Sequence, residues 1–462
     1  MNEDLDINFI IDSSLGDHTK NRAIYTFEIF CSVFEIKLNK NGKKVFYGHK
    51  DNFLSDAINL SCDEEIIGRD IFSKLNEIFF FNPNSLHLKT DYGISKVPIF
   101  TRRNDYIDWI SQSFEFLSMA YEYSVKERDN IGRIDYEKTL FGNFNLDPKI
   151  PYVSVYFNLL FKEIFGFNFK DNETKDYIAI SHDVDFLPTA ISDFFYRNIK
   201  NSLIQFLRKE FSLSFKTFFI SLYQLFAKKN RTGNLELIYE KEKKLGVSST
   251  YFFILSNTHR RDGNYTFEKH LEKKFLNNLI KDGNEIGTHG SYNSLFEEGL
   301  LLKELNFARN SKFDLGFRAH WLRFPSIEYL LKSLERNSMM YDSSIGFSFK
   351  IGFRSGANFP HPFYNFFEEK KSDVYLLPFA IMDGSLNQEA LESKKNPKDI
   401  VESILNYKKL IKKSGFSIIW HNTSLVGTEF SNSIKNTYWE IIKNNKASCV
   451  TCKSLVNSFK KI

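Results

Sequence analysis

Two aspartates one residue apart, Asp183 and Asp185, close the apolar and β-branched run "YIAISHDVDFL" at residues 177–187. Buried carboxylates are costly, and two close together resist ionising at once unless a cation stands beside them. Side chains at i and i+2 of a strand share a face, so both carboxylates point into one space while His182 points away. A metal ion, an arginine or both must lie next to them. Five more polar residues end apolar runs in the same way: His289 after "NEIGT", Arg323 after "HWL", Asp342 after "SMMY", Asp383 after "PFAIM" and His421 after "SIIW". The types suit hydrolysis, with a carboxylate to take a proton, an imidazole to give one and a His/Asp set to hold a divalent ion. His289 and Asn293 in "THGSYNS" are four apart, and a helical turn there would aim both at one centre. An amide oxygen is a poorer ligand than imidazole for a borderline-soft metal.

These residues can act together only if the elements before them end on one rim. From residue 177 onward strand-like runs ("STYFFIL", "NEIGTH", "SMMYDSS", "DVYLLPFAIMD", "GFSIIWHN") alternate with helical ones ("FEKHLEKKFLNNLIKDG", "SIEYLLKSLER", "NTYWEIIKNN"). Repeated alternation predicts an α/β fold with a parallel sheet, open or closed into a barrel, whose ligand site lies at the carboxyl ends of the strands. Residues from about 189 to 232 read as a helical insertion with apolar and basic faces. That pattern suits either a packed element or a peripheral contact with an anionic membrane surface. Residues 1–167 mix short strands and helices with no motif for chemistry, and the polar segment 168–176 is the expected boundary before a second domain at 177–462.

The ordered tokens "HDVD", "HGSYNS", "HWLRFP", "YDSSIGF", "GFRSG", "LPFAIMDG" and "IIWHN" resemble the polysaccharide deacetylase family, carbohydrate esterase family four. The closer likeness is to a bacterial branch with an extra N-terminal domain, to whose closing segment "GRIDYEKTLFG" is similar. The resemblance implies a distorted (β/α) barrel beside a smaller mixed α/β N-terminal domain, and a divalent metal, most often zinc. It implies Asp183 as general base, Asp185 and His289 as metal ligands, and Asn293 where a second histidine is expected. Arg323 corresponds to the arginine that orients the base and His421 to the general acid, tuned by Asp383 or Asp342. Ser291, His320 or a water could complete the metal sphere. His320 could instead hold substrate, as could Ser291 and Asp342, and Arg354 could grip an anionic sugar or form a structural ion pair.

Composition bounds the rest. With 462 residues, 42% hydrophobic, 26% charged and a net charge of +5, the chain reads as globular, and its scattered lysines give no basic face for nucleic acid. The acidic start "MNEDLDINFIIDSSLG" is not a secretory signal, no apolar run spans a bilayer, and four cysteines make no disulfide framework, so a cytoplasmic protein is expected. Cys449 and Cys452 form a lone CxxC, which reads as an ordinary strand end. The expectation is a metal-dependent hydrolase removing an N-acetyl or similar group from an amino sugar in surface polysaccharide synthesis, with a nucleotide- or lipid-linked precursor as partner. The alternative, motivated by Asn293, is a degenerate fold that binds a sugar or a partner without hydrolysis. A third reading keeps the enzyme and changes the acyl group, since fold does not fix substrate.

Overall fold

A computed structural model describes residues 5–69, 84–90, 93–100, 106–123, 125–169, 174–187, 191–227, 234–426 and 430–460. Part of the expected boundary (170–173) and the edges of the insertion (188–190 and 228–233) lie outside them. The chain opens with β1 (Asp6–Ile11), α1 (Asp17–Phe34), β2 (Lys37–Leu38), β3 (Lys43–Gly48) and β4 (Ile58–Ser61), whose strands pair in parallel in the order β2-β1-β3-β4. Next come an antiparallel pair, β5 (Asn84–Thr90) and β6 (Gly93–Ile99), and later the helix α2 (Tyr152–Phe165). The abundant phenylalanines find their use here: Phe30 of α1 meets Phe157 of α2 edge-on, and Phe34 packs on Phe161. The same buried cluster takes in Ala179, Phe252 and Tyr341, so one apolar core joins this N-terminal α/β region to the strands that follow.

Strand β7 (Lys175–Val184) begins the second region, followed by the helices α3 (Ile191–Leu207), α4 (Phe211–Ala227) and α5 (Leu235–Leu245). The alternation continues through β8 (Thr250–Ile254), α6 (Lys273–Lys281), β9 (Glu285–Gly290), α7 (Leu300–Asn310), β10 (Gly316–Ala319), α8 (Ile327–Arg336) and β11 (Tyr341–Asp342). Then come β12 (His361–Asn365), β13 (Lys370–Leu376), β14 (Phe379–Met382), α9 (Asp383–Ser393), β15 (Lys413–Ile419), α10 (Asn432–Asn444), β16 (Cys449–Val450) and α11 (Cys452–Lys460). Caps set several boundaries. Asn234 accepts the Leu237 N–H at the start of α5, Gly246 ends it at φ 71°, and Ser326 Oγ accepts the Tyr329 N–H at the start of α8. The run 267–283, expected as one helix, breaks at Leu271 and Glu272, both extended, into Phe267–His270 and α6.

Strand order shows how the sheet curls. The ten strands run β12-β13-β11-β10-β9-β8-β7-β15-β14, with β16 also on β7, and all pairs are parallel except β12 with β13. β13 and β14 thus lie seven strand steps apart, about 34 Å on a flat sheet. Yet Leu377 and Pro378 alone join them, and so short a link reaches only about 10 Å. The run "DVYLLPFAIMD" is therefore one bent stave, pairing with β11 by its first half and with β15 by its second. Around the axis the staves are β7, β8, β9, β10, β11, the β13–β14 run and β15. The fold is α/β, a distorted (β/α) barrel with a smaller mixed α/β N-terminal region. Cys452 is buried at the head of α11, and neither it nor Cys449 belongs to a metal-ligating cluster among the described residues.

Candidate active site

At the carboxyl ends of the staves, strand alternation turns Ser181 and Asp183 of β7 inward and His182 outward. His182 Nδ1 donates to the Trp420 carbonyl at 2.9 Å, and Nε2 meets Glu242 of α5 at 2.8 Å and the Tyr438 hydroxyl of α10 at 3.1 Å. It pins two helices to the barrel wall and takes no part in the cluster inside.

Inside, Arg318 of β10 is fully buried along the axis. Its Nη1 donates to Asp183 Oδ1 at 2.5 Å, Nε to the Ser343 carbonyl at 3.1 Å, and Nη2 to Ser181 Oγ and Ser343 Oγ at 3.1 and 2.9 Å. Burial pushes the Asp183 carboxyl up, but Arg318, with His289 and His421, outweighs it and holds the group below the usual range. The arginine on Asp183 is thus Arg318 and not Arg323. Arg323 follows the strand end, where its Nε donates to the Ile131 carbonyl at 2.5 Å and its Nη1 to the Tyr292 carbonyl at 2.6 Å and to Asn293 Oδ1 at 3.3 Å. Its guanidinium also lies 3.5 Å from the centre of the Phe296 ring.

Beside Asp183 stand Asp185, His289 and His320, each with a ligand atom within 4.8 Å of the others. His289 Nε2 is 3.4 Å from Asp185 Oδ1 and 3.7 Å from Asp183 Oδ2, and His320 Nε2 is 3.5 Å from Asp185 Oδ2. His289 Nδ1 lies 2.9 Å from the Arg318 carbonyl, which can only accept, so Nδ1 carries a proton and Nε2 is the ring atom turned toward the carboxylate oxygens, free to act as a ligand. A divalent ion among these atoms would take up the carboxylate charge and the imidazole lone pairs together. Asp185 Oδ1 is buried with no hydrogen-bond partner, as that arrangement requires. Two imidazoles and a carboxylate are a donor set that fits a divalent transition ion such as zinc. The third ligand atom comes from His320, and Asn293 is not in the set: residues 291–296 form turns and no helix, which leaves the Asn293 amide on Arg323.

His320 opens a short turn in which Trp321 and Leu322 both take left-handed φ, 61° and 54°, a strained pairing for non-glycine residues. Its Nδ1 faces Asp262, 3.8 Å away, an aspartate whose oxygens accept the backbone N–H groups of Tyr292, His259 and Thr258. Burial works against charge on His320, yet Asp185 and Asp262 raise it to about 9. Across the cluster, His421 Nε2 is 3.6 Å from Asp185 Oδ2. Asp383, at the head of α9, takes the His421 Nδ1–H at 2.9 Å on one oxygen and the His421 backbone N–H at 2.7 Å on the other. Burial opposes protonation of His421, but Asp383, helped by Asp185 and Asp183, raises it well above the ordinary imidazole value.

The other expected site residues are committed elsewhere. Asp342 spends both oxygens on Ser344, N–H at 2.8 Å and hydroxyl at 2.6 Å, and burial pushes it up to about 7; it does not reach His421. Ser291 Oγ donates to the buried Glu304 of α7, so it offers nothing to a metal. Arg354 forms a buried two-pronged pair with Glu122, 2.6 Å at the shortest, and reaches the Gly346 carbonyl, which makes it a structural ion pair rather than a free anion clamp. Arg318 and Asp262 went unrecognised in the sequence. For Arg318 a signal existed, a lone arginine at an inward position of "GFRAH"; for Asp262, in a polar loop, none did.

No family model and no curated protein matches this chain. Among solved structures, it is similar to a protein assigned as a polysaccharide deacetylase from Mycobacterium smegmatis, at 13% identity and TM-score 0.37, over 63% of this chain and 92% of that one. It is also similar to Puue allantoinase (11%, TM-score 0.39, 71% and 98%) and to a protein assigned as a polysaccharide deacetylase from Pseudomonas aeruginosa PAO1 (10%, TM-score 0.38, 71% and 98%). Likenesses this distant carry no argument about activity, which must rest on the site itself.

Proposed function

We propose that this protein is a metal-dependent hydrolase that removes an N-acyl group, most concretely N-acetyl, from an amino sugar on the route to a surface polysaccharide. One observation carries the reading: the ligand set Asp185, His289 and His320 is flanked by an aspartate that a buried arginine keeps ionised and by a histidine that an aspartate keeps protonated. A divalent cation, zinc by the donor set, would when bound polarise the amide carbonyl and acidify water. Asp183, ionised beside Arg318, accepts a proton from the attacking water. His421, charged beside Asp383, delivers one to the departing amine nitrogen, so neither proton has to come from bulk solvent. Asn293, on which the non-hydrolytic alternative rested, stands outside the ligand set, and a binding module would have no use for a base and an acid held in opposite protonation states.

Elemental analysis by plasma mass spectrometry, paired with acetate release from nucleotide- and lipid-linked N-acetyl amino sugars, tests this reading. About one equivalent of divalent ion is expected in the wild type and in Asn293→Ala. It should be lost from Asp185→Ala, His289→Ala and His320→Ala. A wild type that takes up no metal from excess zinc would sink the mechanism; metal without acyl release from any amino sugar would move the proposal to another amide.

A further inference from the structure

Outside the barrel, the hairpin of α3 and α4 is built inside out. The two helices pack on each other through a polar seam. Ser202 Oγ donates to the Ser214 carbonyl at 3.0 Å and Ser214 Oγ to the Ser202 carbonyl at 2.8 Å, while Thr217 Oγ1 donates to Gln205 Oε1 at 2.7 Å. The apolar side chains face outward: Leu203, Phe206 and Leu207 on α3, and Phe211, Phe215 and Phe219 on α4, with Leu207 72% and Phe219 63% exposed. A helix pair made for water buries its phenylalanines and shows its serines. Small and polar residues at the seam with apolar ones outside is the arrangement of helices whose surroundings are hydrocarbon.

Charge points to the same surroundings. Lys200, Arg208, Lys209 and Lys216 are exposed among these apolar side chains, and the one acid among the hairpin's described side chains is Glu210. Cations interleaved with aromatic and leucine residues match an anionic headgroup layer over acyl chains. Each helix has 17 residues, about 25 Å, and neither is long and apolar enough to cross a membrane, so the hairpin fits the interface and not a span.

We propose that the α3–α4 hairpin docks the protein on the surface of an anionic lipid bilayer, with its phenylalanines and leucines at the acyl boundary and its four cations against headgroup phosphates. α3 begins six residues after Asp185 in the chain, so docking would tether the stave that carries Asp183 and Asp185 to that surface. A second copy of the chain could cover the same apolar face, but it would set one group of four cations against another.

Sedimentation of the full chain with vesicles of phosphatidylcholine, with and without phosphatidylglycerol, tests the proposal. Sedimentation velocity without vesicles reports the oligomeric state. The wild type should pellet with the phosphatidylglycerol vesicles and lose binding as salt is raised. Phe211→Ser/Phe215→Ser/Phe219→Ser should weaken that binding by about tenfold or more with unchanged circular dichroism. Arg208→Ser/Lys209→Ser/Lys216→Ser, at exposed positions, should remove the preference for anionic lipid with unchanged circular dichroism. A wild type that stays in the supernatant with both vesicles overturns the proposal. So does a dimer that the phenylalanine changes dissociate without any vesicle binding, which would assign the face to a second copy. Neither result bears on hydrolysis of a soluble substrate.

Discussion

Arg318 shows how one buried cation divides the labour of two aspartates. Asp183 is neutralised by a guanidinium, whereas Asp185 faces imidazole nitrogens and, on the proposed reading, takes the added cation. Arg318→Met should raise the Asp183 carboxyl, lower kcat by about 100-fold and cost roughly 3–5 kcal/mol of stability, because it strands a buried carboxylate. Arg323→Met, which removes hydrogen bonds to the Ile131 and Tyr292 carbonyls far from Asp183, should lower the melting temperature and leave kcat within a few-fold. Kinetics and thermal melts of the two variants, side by side, check that separation. On the acid side, Asp383→Asn removes the carboxylate that favours imidazolium at His421. The protonated form is then lost at lower pH, so the alkaline limb of kcat/KM should move toward acid while the acid limb stays. Sequence brought Asp183, Asp185, His289, Asp383 and His421 to one rim because strand ends are easy to read. It misplaced the arginine because "RFP" stands at a strand end whereas Arg318 sits within a strand, where only its inward register betrays it.

At the scale of elements, the parallel strands and most helices were readable from periodicity and caps. Closure was not, since it depends on pairing partners and not on local pattern. "DVYLLPFAIMD" reads as one strand, and it is the change of partner at Pro378 that turns it into the stave sealing the barrel. The break in 267–283 was equally hidden, since apolar spacing continues through Leu271. His182 illustrates an element-level role for a residue beside the chemistry: with Glu242 and Tyr438 it ties α5 and α10 to β7. His182→Leu would take one hydrogen-bond partner from the buried Glu242 carboxylate, leaving it the Tyr251 and Tyr438 hydroxyls, and should cost about 1–3 kcal/mol by urea denaturation. Metal content per folded molecule should not change, because the ring points away from the site.

For the molecule as a whole, burial sets the pH dependence of stability. Glu285, Glu304 and Asp342 are each pushed up to about 7, chiefly by burial. A carboxyl whose pKa rises on folding holds its proton more tightly in the folded chain. Its contribution is therefore complete below the ordinary carboxylate range and is lost as pH rises through about 7. His361, which burial lowers to about 4, works the other way between 4 and its ordinary value near 6.5, but it is one group against three. The urea midpoint should fall between about pH 5 and pH 7, and Asp342→Asn should make that fall shallower; a wild-type midpoint that rises over the interval would contradict the assignment.

The His182 ring and the Trp420 carbonyl that it holds are 238 positions apart in the chain. The stave that seals the barrel is made late, and β15, which it must pair with, later still. A chain emerging from the ribosome therefore carries Asp183, Asp185, His289 and His320 for a long interval before His421 exists to join them. On the proposed mechanism, a fragment that stops short of His421 lacks the acid and should release no acetate, however well it folds. The order of synthesis would thus keep the nascent chain chemically silent until His421 is added.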